Sequence, residues 1–213
     1  MRAFFLTVKK RGGRMADHYF SNDPSSKSDR KRWEYTLRGS QFVFLSDHGV
    51  FSKSEVDFGS RLLIEAFQMP DAQGDVLDVG CGYGPIGLSL AKEFQERVVH
   101  MVDVNERALG LAKENAANNR IGNVRIYESS VYENVNGKYA AILSNPPIRA
   151  GKHVVHEILE KAVDYLVPGG ELWIVIQKKQ GAPSAMKKLE EVLDVVEVVE
   201  KKKGYYIIKS KKR

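Results

Sequence analysis

The stretch Val76–Ala91, "VLDVGCGYGPIGLSLA", decides the fold. It reads as a buried strand, a glycine-rich turn and a helix in immediate succession. Gly80, Gly82 and Gly84 let the backbone approach a ligand where a Cβ would collide, and a helix starting near Pro85 supplies unpaired N–H groups. Gly82, Gly84 and Gly87 also spell GxGxxG, the dinucleotide fingerprint, and a tight strand-to-helix turn without a ligand has the same local sequence. The turn alone therefore leaves its ligand open.

Outward from this stretch, short apolar runs alternate with amphipathic ones. Upstream, "DFGSRLLIEAF" (57–67) is a helix with Leu62, Leu63 and Phe67 on one side. Downstream come "VVHMVDV", "NERALGLAKENAANN", "VRIYES", "YAAILSN", "VVHEILEKAVDYL", "GELWIVIQ" and "APSAMKKLEEVL". Such alternation predicts right-handed βαβ crossovers and a mostly parallel sheet covered on both faces. The end departs from it. "VVEVVEKKKGYYIIKS" (195–210) is two β-rich runs around Gly204 with no helix between them, so the sheet closes with an antiparallel hairpin. Before the glycine loop, "RWEYTLRGSQFVFLSD" (32–47) predicts a further β-hairpin, with its turn at Gly39-Ser40.

Two positions carry the chemistry. The second strand ends in Asp103, twenty-three residues after Gly80. A carboxylate at that strand tip can accept from both hydroxyls of a ribose, which points to an adenosine-containing cofactor without choosing between NAD and S-adenosylmethionine. The fourth strand stops at "SNPP" (144–147), where the prolines remove ladder donors. Asn145, Pro146 and Pro147 form a wall of acceptors with no competing backbone N–H at either proline.

Asp78 with the glycines, Asp103 and "SNPP", in that order, resemble the class I S-adenosylmethionine-dependent methyltransferases that act on a planar amide or aromatic exocyclic nitrogen. The upstream "GVFSKSEVDFGSRLL" (49–63) is similar to the segment preceding the glycine loop in the methyltransferase small group, whose best-known members methylate guanine N2 in ribosomal RNA. The resemblance covers about residues 40–210. It implies an α/β Rossmann-like fold, a seven-stranded mostly parallel sheet with a C-terminal antiparallel hairpin, and S-adenosyl-L-methionine as cofactor. It further implies that Asp78, Gly80, Gly82 and Gly84 lie along the methionine part, Asp103 at the ribose, Val104 against the adenine and Ser130 at its amine. Asn145, which also borders the cofactor, would with Pro146 and Pro147 line the methyl-transfer site. Two departures accompany it. Those enzymes carry a second, degenerate domain before the catalytic one, so RNA recognition must be arranged differently here. Their motif ends in an aromatic residue, and this chain has Ile148. Phe51 and Lys53 upstream, and Ile148, Arg149 and Lys152 after the motif, are the candidate substrate contacts, with Phe51 able to stack in place of the absent aromatic.

The chemistry fits the residues. The lone pair of an aryl amine or amide is delocalised, and attack needs it localised; the Asn145 side-chain oxygen and the Pro146 carbonyl can each accept one N–H of the acceptor and aim the nitrogen. No metal and no enzyme nucleophile is needed. His153 and His156 fall on a helix face, and Cys81 suits the glycine loop by its size.

At 213 residues and 43% hydrophobic, the chain can bury one sizeable core. The expected organisation is a basic and polar lead-in over 1–31 and one methyltransferase domain over 32–213, with Met15 a second candidate start. One cysteine excludes an intrachain disulfide framework and suits a reducing compartment, the cytoplasm. No apolar run approaches the ~18 residues of a membrane span, and the amino terminus lacks a signal-peptide pattern. The charge is uneven. Residues 1–14 carry five Lys or Arg and 201–213 carry seven, neither with an acid, which leaves 21 bases against 27 acids between them. Such basic ends would attract RNA, ribosomal RNA or a ribosomal particle in particular, or simply be solvated. The expected activity is methylation of an exocyclic base amine of RNA. A protein glutamine offers the same planar amide, a catalytically silent RNA-binding or ribosome-assembly protein would keep the fold, and an NAD oxidoreductase would keep the loop and the acid.

Overall fold

The computed structural model describes residues 29–47 and 55–213. In chain order it runs β1 (Lys31–Leu37), β2 (Ser40–Ser46), α1 (Phe58–Ala66), β3 (Asp75–Val79), α2 (Pro85–Glu93), β4 (Val99–Asp103), α3 (Glu106–Asn118), β5 (Val124–Glu128), β6 (Tyr139–Ser144), α4 (Lys152–Tyr165), β7 (Leu166–Gln177), α5 (Ala182–Val192), β8 (Val195–Lys202) and β9 (Tyr205–Lys211). Phe51 and Lys53 lie outside the described residues, as do the amino-terminal bases and nearly all of the lead-in.

Seven strands form one sheet in the order β5-β4-β3-β6-β7-β9-β8. β9 is antiparallel to both neighbours and the other pairings are parallel, as the alternation and the terminal hairpin predict. Strands covered on both faces read as continuous apolar runs, and β6 is buried at all six residues. Within β3 the two-residue period still assigns the faces: Val76 joins the cluster under α1, α2 and α3, while Leu77 joins the one under α4 and α5.

The β1–β2 hairpin is a separate two-stranded sheet. Its turn sits at Arg38–Gly39, one residue earlier than Gly39-Ser40, and both residues have positive φ (46° and 74°), which suits the right-handed twist of a two-residue hairpin loop. Arg38 uses that position. Its guanidinium donates to the Ile64 carbonyl (2.6 Å) and the Phe67 carbonyl (2.9 Å) at the end of α1 and pairs with Glu93 at the end of α2. On the other side, Asn115 of α3 and Asn119 at its C-cap act as a substitute strand for β2. Their side-chain oxygens accept from Leu45 N (2.7 Å) and Val43 N (2.8 Å), and their amide nitrogens donate back to the same residues' carbonyls. Asn115 also donates to the Tyr83 carbonyl (2.9 Å), so the hairpin is tied to the glycine loop itself. Trp33 and Phe44 pack edge-on against Tyr83 to the same effect.

The carboxyl-terminal bases are not a free tail. Lys201 and Lys202 end β8, Lys209 and Lys211 belong to β9, and Lys209 pairs with Glu197 across the two strands. Lys212 donates to the Val163 and Leu166 carbonyls (2.7 and 3.1 Å), satisfying the end of α4. A charged ribbon is a suitable sheet edge, because it discourages pairing with another chain. Among the described residues no helix is long and apolar enough to cross a membrane, and no cluster of three or more His, Cys, Asp or Glu could hold a metal.

Candidate active site

The strand order reverses between β3 and β6, with β4 and β5 to one side and β7 to the other, and a ligand crevice opens outside the carboxyl ends at such a point. The register pairs Asp78 with Leu143, and Ser144 Oγ donates to the Val79 carbonyl (2.8 Å). The glycine loop and the Asn145-Pro146-Pro147 turn therefore leave the sheet side by side.

The loop is held by β4. Gly80 N and Cys81 N both donate to the Val102 carbonyl (2.8 and 2.9 Å), and Gly82 N donates to Asp103 Oδ2 (2.9 Å). Gly80 and Gly82 have φ of +77° and +57°, and a Cβ on either would meet nothing within 4 Å, so the space beside the loop is open. Gly87 has the opposite reason. A Cβ there would lie 2.6 Å from Met101 Cγ, so glycine is what lets α2 press onto the sheet. Gly87 N then donates to Asp78 Oδ2 (2.9 Å).

Asp78 is fully buried, and its Oδ1 has no hydrogen-bond partner among the described residues. Burial pushes its pKa to about 7; the Gly87 N–H opposes the rise and the charge of Asp103 adds to it. An orphaned carboxylate oxygen in such a place is costly, and a cationic ligand group is what would satisfy it. Asp103 is also raised by burial, against the N–H groups of Asn105, Gly82 and Val104. Those contacts fix its orientation, and a carboxylate's remaining lone pairs can still accept from hydroxyls. Val104 is half-buried beside it. Ser129 N donates to the Asp103 carbonyl (3.1 Å), which brings the exposed Ser130 to the same edge. The next residue, Val131, has φ +51°, a strained conformation for a β-branched side chain, held by Ser129 Oγ donating to its carbonyl (3.1 Å).

The Asn145 amide is clamped. Its Nδ2 donates to Ser60 Oγ (3.0 Å) and to Asp57 Oδ2 (3.3 Å), and the same Asp57 oxygen accepts from Ser60 N (3.0 Å) as the N-cap of α1. A carboxylate only accepts, so the amide nitrogen must be the atom facing it and Oδ1 is left to face elsewhere. The Pro147 carbonyl is used by the following turn, accepting from Ala150 N (2.8 Å), whereas no described donor bonds the Pro146 carbonyl. Among the described residues, Asn145 Oδ1 and the Pro146 carbonyl are thus two acceptors without a donor, on adjacent residues. Ile148 lines a cavity of about 290 Å³ together with Lys152 and His156. Arg149 and His153 are exposed. Cys81 is buried and its thiol is pushed up by that burial, which unsuits it as a nucleophile.

Asp57 and Ser60 are the site residues that sequence reasoning missed. A helix start at "DFGS" was visible, but nothing in one dimension links it to an asparagine 85 residues away. An aromatic pair was missed as well: Phe58 packs on Tyr205 with ring centroids 5.4 Å apart, and both are half-buried.

A family model of the methyltransferase small domain matches residues 41–209. The uncharacterized protein YbxB of Bacillus subtilis is 62% identical over 200 residues, 93% of this chain and 100% of that one. Ribosomal RNA small subunit methyltransferase C of Aeromonas hydrophila is 38% identical over 148 residues, 68% of this chain and 42% of the relative. The structure of the T. thermophilus 16S rRNA N2 methyltransferase RsmC in complex with AdoMet and guanosine superposes with a TM-score of 0.78 at 25% identity, covering 90% of this chain and 52% of that one. This chain thus spans about half or less of these two RNA methyltransferases and the whole of YbxB. With the glycine loop, the strand-tip acid and the Asn-Pro-Pro turn at one switch point, the chain belongs to the methyltransferase small domain family.

Proposed function

We propose that the protein uses S-adenosylmethionine to methylate an exocyclic amine of an RNA base, guanine N2 of ribosomal RNA. The observation that carries this reading is the clamped Asn145 amide, which presents Oδ1 next to the unbonded Pro146 carbonyl beside the open glycine loop. Two fixed acceptors on adjacent residues match the two N–H bonds of an amine. Holding both hydrogens pyramidalises the nitrogen and turns its lone pair out of the base plane.

The residues present fit the cofactor. Asp103 is oriented to accept from ribose hydroxyls, Val104 offers an apolar surface to adenine, Ser130 can reach its amine, and the orphaned Asp78 oxygen suits the cationic methionine end. When bound, S-adenosylmethionine supplies a methyl group already activated by its sulfonium. The chain's own part is to bind, to orient and to withhold competing donors, which Pro146 and Pro147 do by lacking N–H groups. Ile148 and the Phe58–Tyr205 pair provide apolar surface for the base in place of the aromatic residue that the family resemblance leads one to expect after the motif.

Nucleoside mass spectrometry of ribosomal RNA from cells with and without the gene tests this. Loss of N2-methylguanosine on deletion, and its return on complementation, is the expected result. An unchanged set of methylated bases overturns the RNA reading, and transfer of labelled methyl to a glutamine-containing protein instead would move the acceptor to a side-chain amide.

A further inference from the structure

Two depressions adjoin at Lys179 on the carboxyl side of the sheet. One, of about 290 Å³, runs from Ile148 past Lys152 and His156 to Lys179; the other, of about 550 Å³, runs from Lys178 and Lys179 to Lys203 and Gly204. Among the described residues no Asp or Glu lines either of them. That is unexpected in a chain whose body holds more acids than bases. Elsewhere on the same helices and strands, lysines are matched by carboxylates: Lys161 with Glu157, Lys188 with Glu160 and Glu191, and Lys209 with Glu197. Lys152, Lys178 and Lys179 have no such partner among the described residues, and the Lys203 ammonium lies 4.9 Å from the centroid of the Phe58 ring.

Each end of this groove carries a link to the segments that build the Asn145 clamp: Ile148 lines one end, and at the other Lys203 lies over the Phe58 ring. Ile148 lies three residues beyond Asn145 in the chain, and Phe58 follows Asp57, which holds the amide. At the Lys203 end the half-buried Phe58–Tyr205 pair adds aromatic surface. A row of cations without carboxylate partners, with aromatic rings beside it, is the combination that suits a single strand of nucleic acid rather than an acidic protein.

We propose that this groove holds the sugar–phosphate backbone of single-stranded RNA flanking the target nucleotide, with Lys152, Lys178, Lys179 and Lys203 facing phosphates. The proposal rests on the RNA reading above and adds the path of the strand. It also explains how a base is delivered to two recessed acceptors: a single strand needs no duplex opened before the base enters.

The test is binding of a labelled single-stranded RNA of about 12 nucleotides by fluorescence anisotropy across a salt series. Each phosphate contact on a single strand contributes about 0.7 to the slope of log K against log salt, so Lys178→Gln/Lys179→Gln/Lys203→Gln should flatten the slope by about 2. Cofactor affinity and melting temperature should stay at wild-type values. Lys113→Gln/Lys161→Gln/Lys187→Gln, with the same change in net charge on other surfaces, should leave the slope unaltered. A wild-type slope in the groove variant, or equal flattening in the other, overturns the proposal. So does displacement of the RNA by a polyglutamate peptide as efficiently as by unlabelled RNA. If the wild type binds RNA through the groove and yet transfers no methyl to it, the groove stands and the methylation reading falls; if it binds no RNA, both fall.

Discussion

Asp57 does two jobs with one oxygen, and two substitutions separate them. Oδ2 accepts from Ser60 N at 3.0 Å, capping α1, and from Asn145 Nδ2 at 3.3 Å, fixing the amide. Serine caps a helix about as well as aspartate, but its side chain is one atom shorter and cannot serve both donors. Asp57→Ser should therefore keep the cap and release the amide, whereas Asp57→Ala should lose both. A hydrogen bond to a charged group contributes roughly 1.5–3 kcal/mol; at 3.3 Å, with Ser60 Oγ still holding Asn145 at 3.0 Å, the lower end applies, about 1.5 kcal/mol or tenfold in rate. Loss of the cap costs about 1 kcal/mol of stability. Single-turnover transfer from labelled S-adenosylmethionine, calorimetric cofactor binding and thermal melting read the three quantities. The expected pattern is that Asp57→Ser melts and binds cofactor like the wild type and turns over about tenfold more slowly, and that Asp57→Ala also melts lower. Wild-type turnover in Asp57→Ser would show that amide orientation is not what limits the reaction. Equal losses of cofactor affinity and of turnover would place Asp57 at the cofactor instead.

The strands, their order of appearance and the closing hairpin were legible because each is a contiguous run whose period reports its own burial. The glycine loop, Asp103 and Asn145 were legible for the same reason: each sits at a strand end, and strand ends are where a parallel sheet presents its site. What escaped is whatever depends on two distant elements meeting. Asp57 reads locally as a helix cap, and only the fold shows that its second lone pair holds Asn145. Asn115 reads as one of several polar residues on α3, yet it is fully buried and stands in for a strand beside β2. The seven carboxyl-terminal bases read as a tail by composition, because a charge count cannot see that Lys209 has Glu197 across a ladder or that Lys212 satisfies helix carbonyls. The basic groove is the same effect in reverse. Lys152, Lys178 and Lys203 are unremarkable in their own segments and form a patch only because α4, the end of β7 and the β8–β9 turn share one edge of the sheet.

Three further outcomes follow from the geometry. Asn115→Ala should cost about 2–3 kcal/mol in urea denaturation, since it strips partners from Leu45 N, Leu45 O and the Tyr83 carbonyl; a loss under 1 kcal/mol would mean that water replaces them. Asp103→Ala should weaken cofactor binding by about 1.5–3 kcal/mol, and an unchanged calorimetric affinity would remove it from the ribose. The last concerns pH. Free Asp78 holds its proton up to about 7, whereas in the unfolded chain it loses it near 3.8, so its protonation favours the folded protein fully below 3.8 and not at all above about 7. The cofactor-free protein should therefore lose stability from this group as pH rises through that window. A cationic methionine end favours the ionised carboxylate, so the complex binds fewer protons than the free protein just below pH 7. Cofactor affinity should then rise with pH up to about 7 and level off, and binding near pH 6.5 should release a fraction of a proton. Neighbouring Asp103, raised by its own burial, would contribute in the same direction, and Asp78→Asn separates the two. Calorimetry at that pH in two buffers of different ionisation enthalpy measures the released proton; identical heats in both buffers would mean that Asp78 is ionised before the cofactor arrives, and that its orphaned oxygen has no part in binding it.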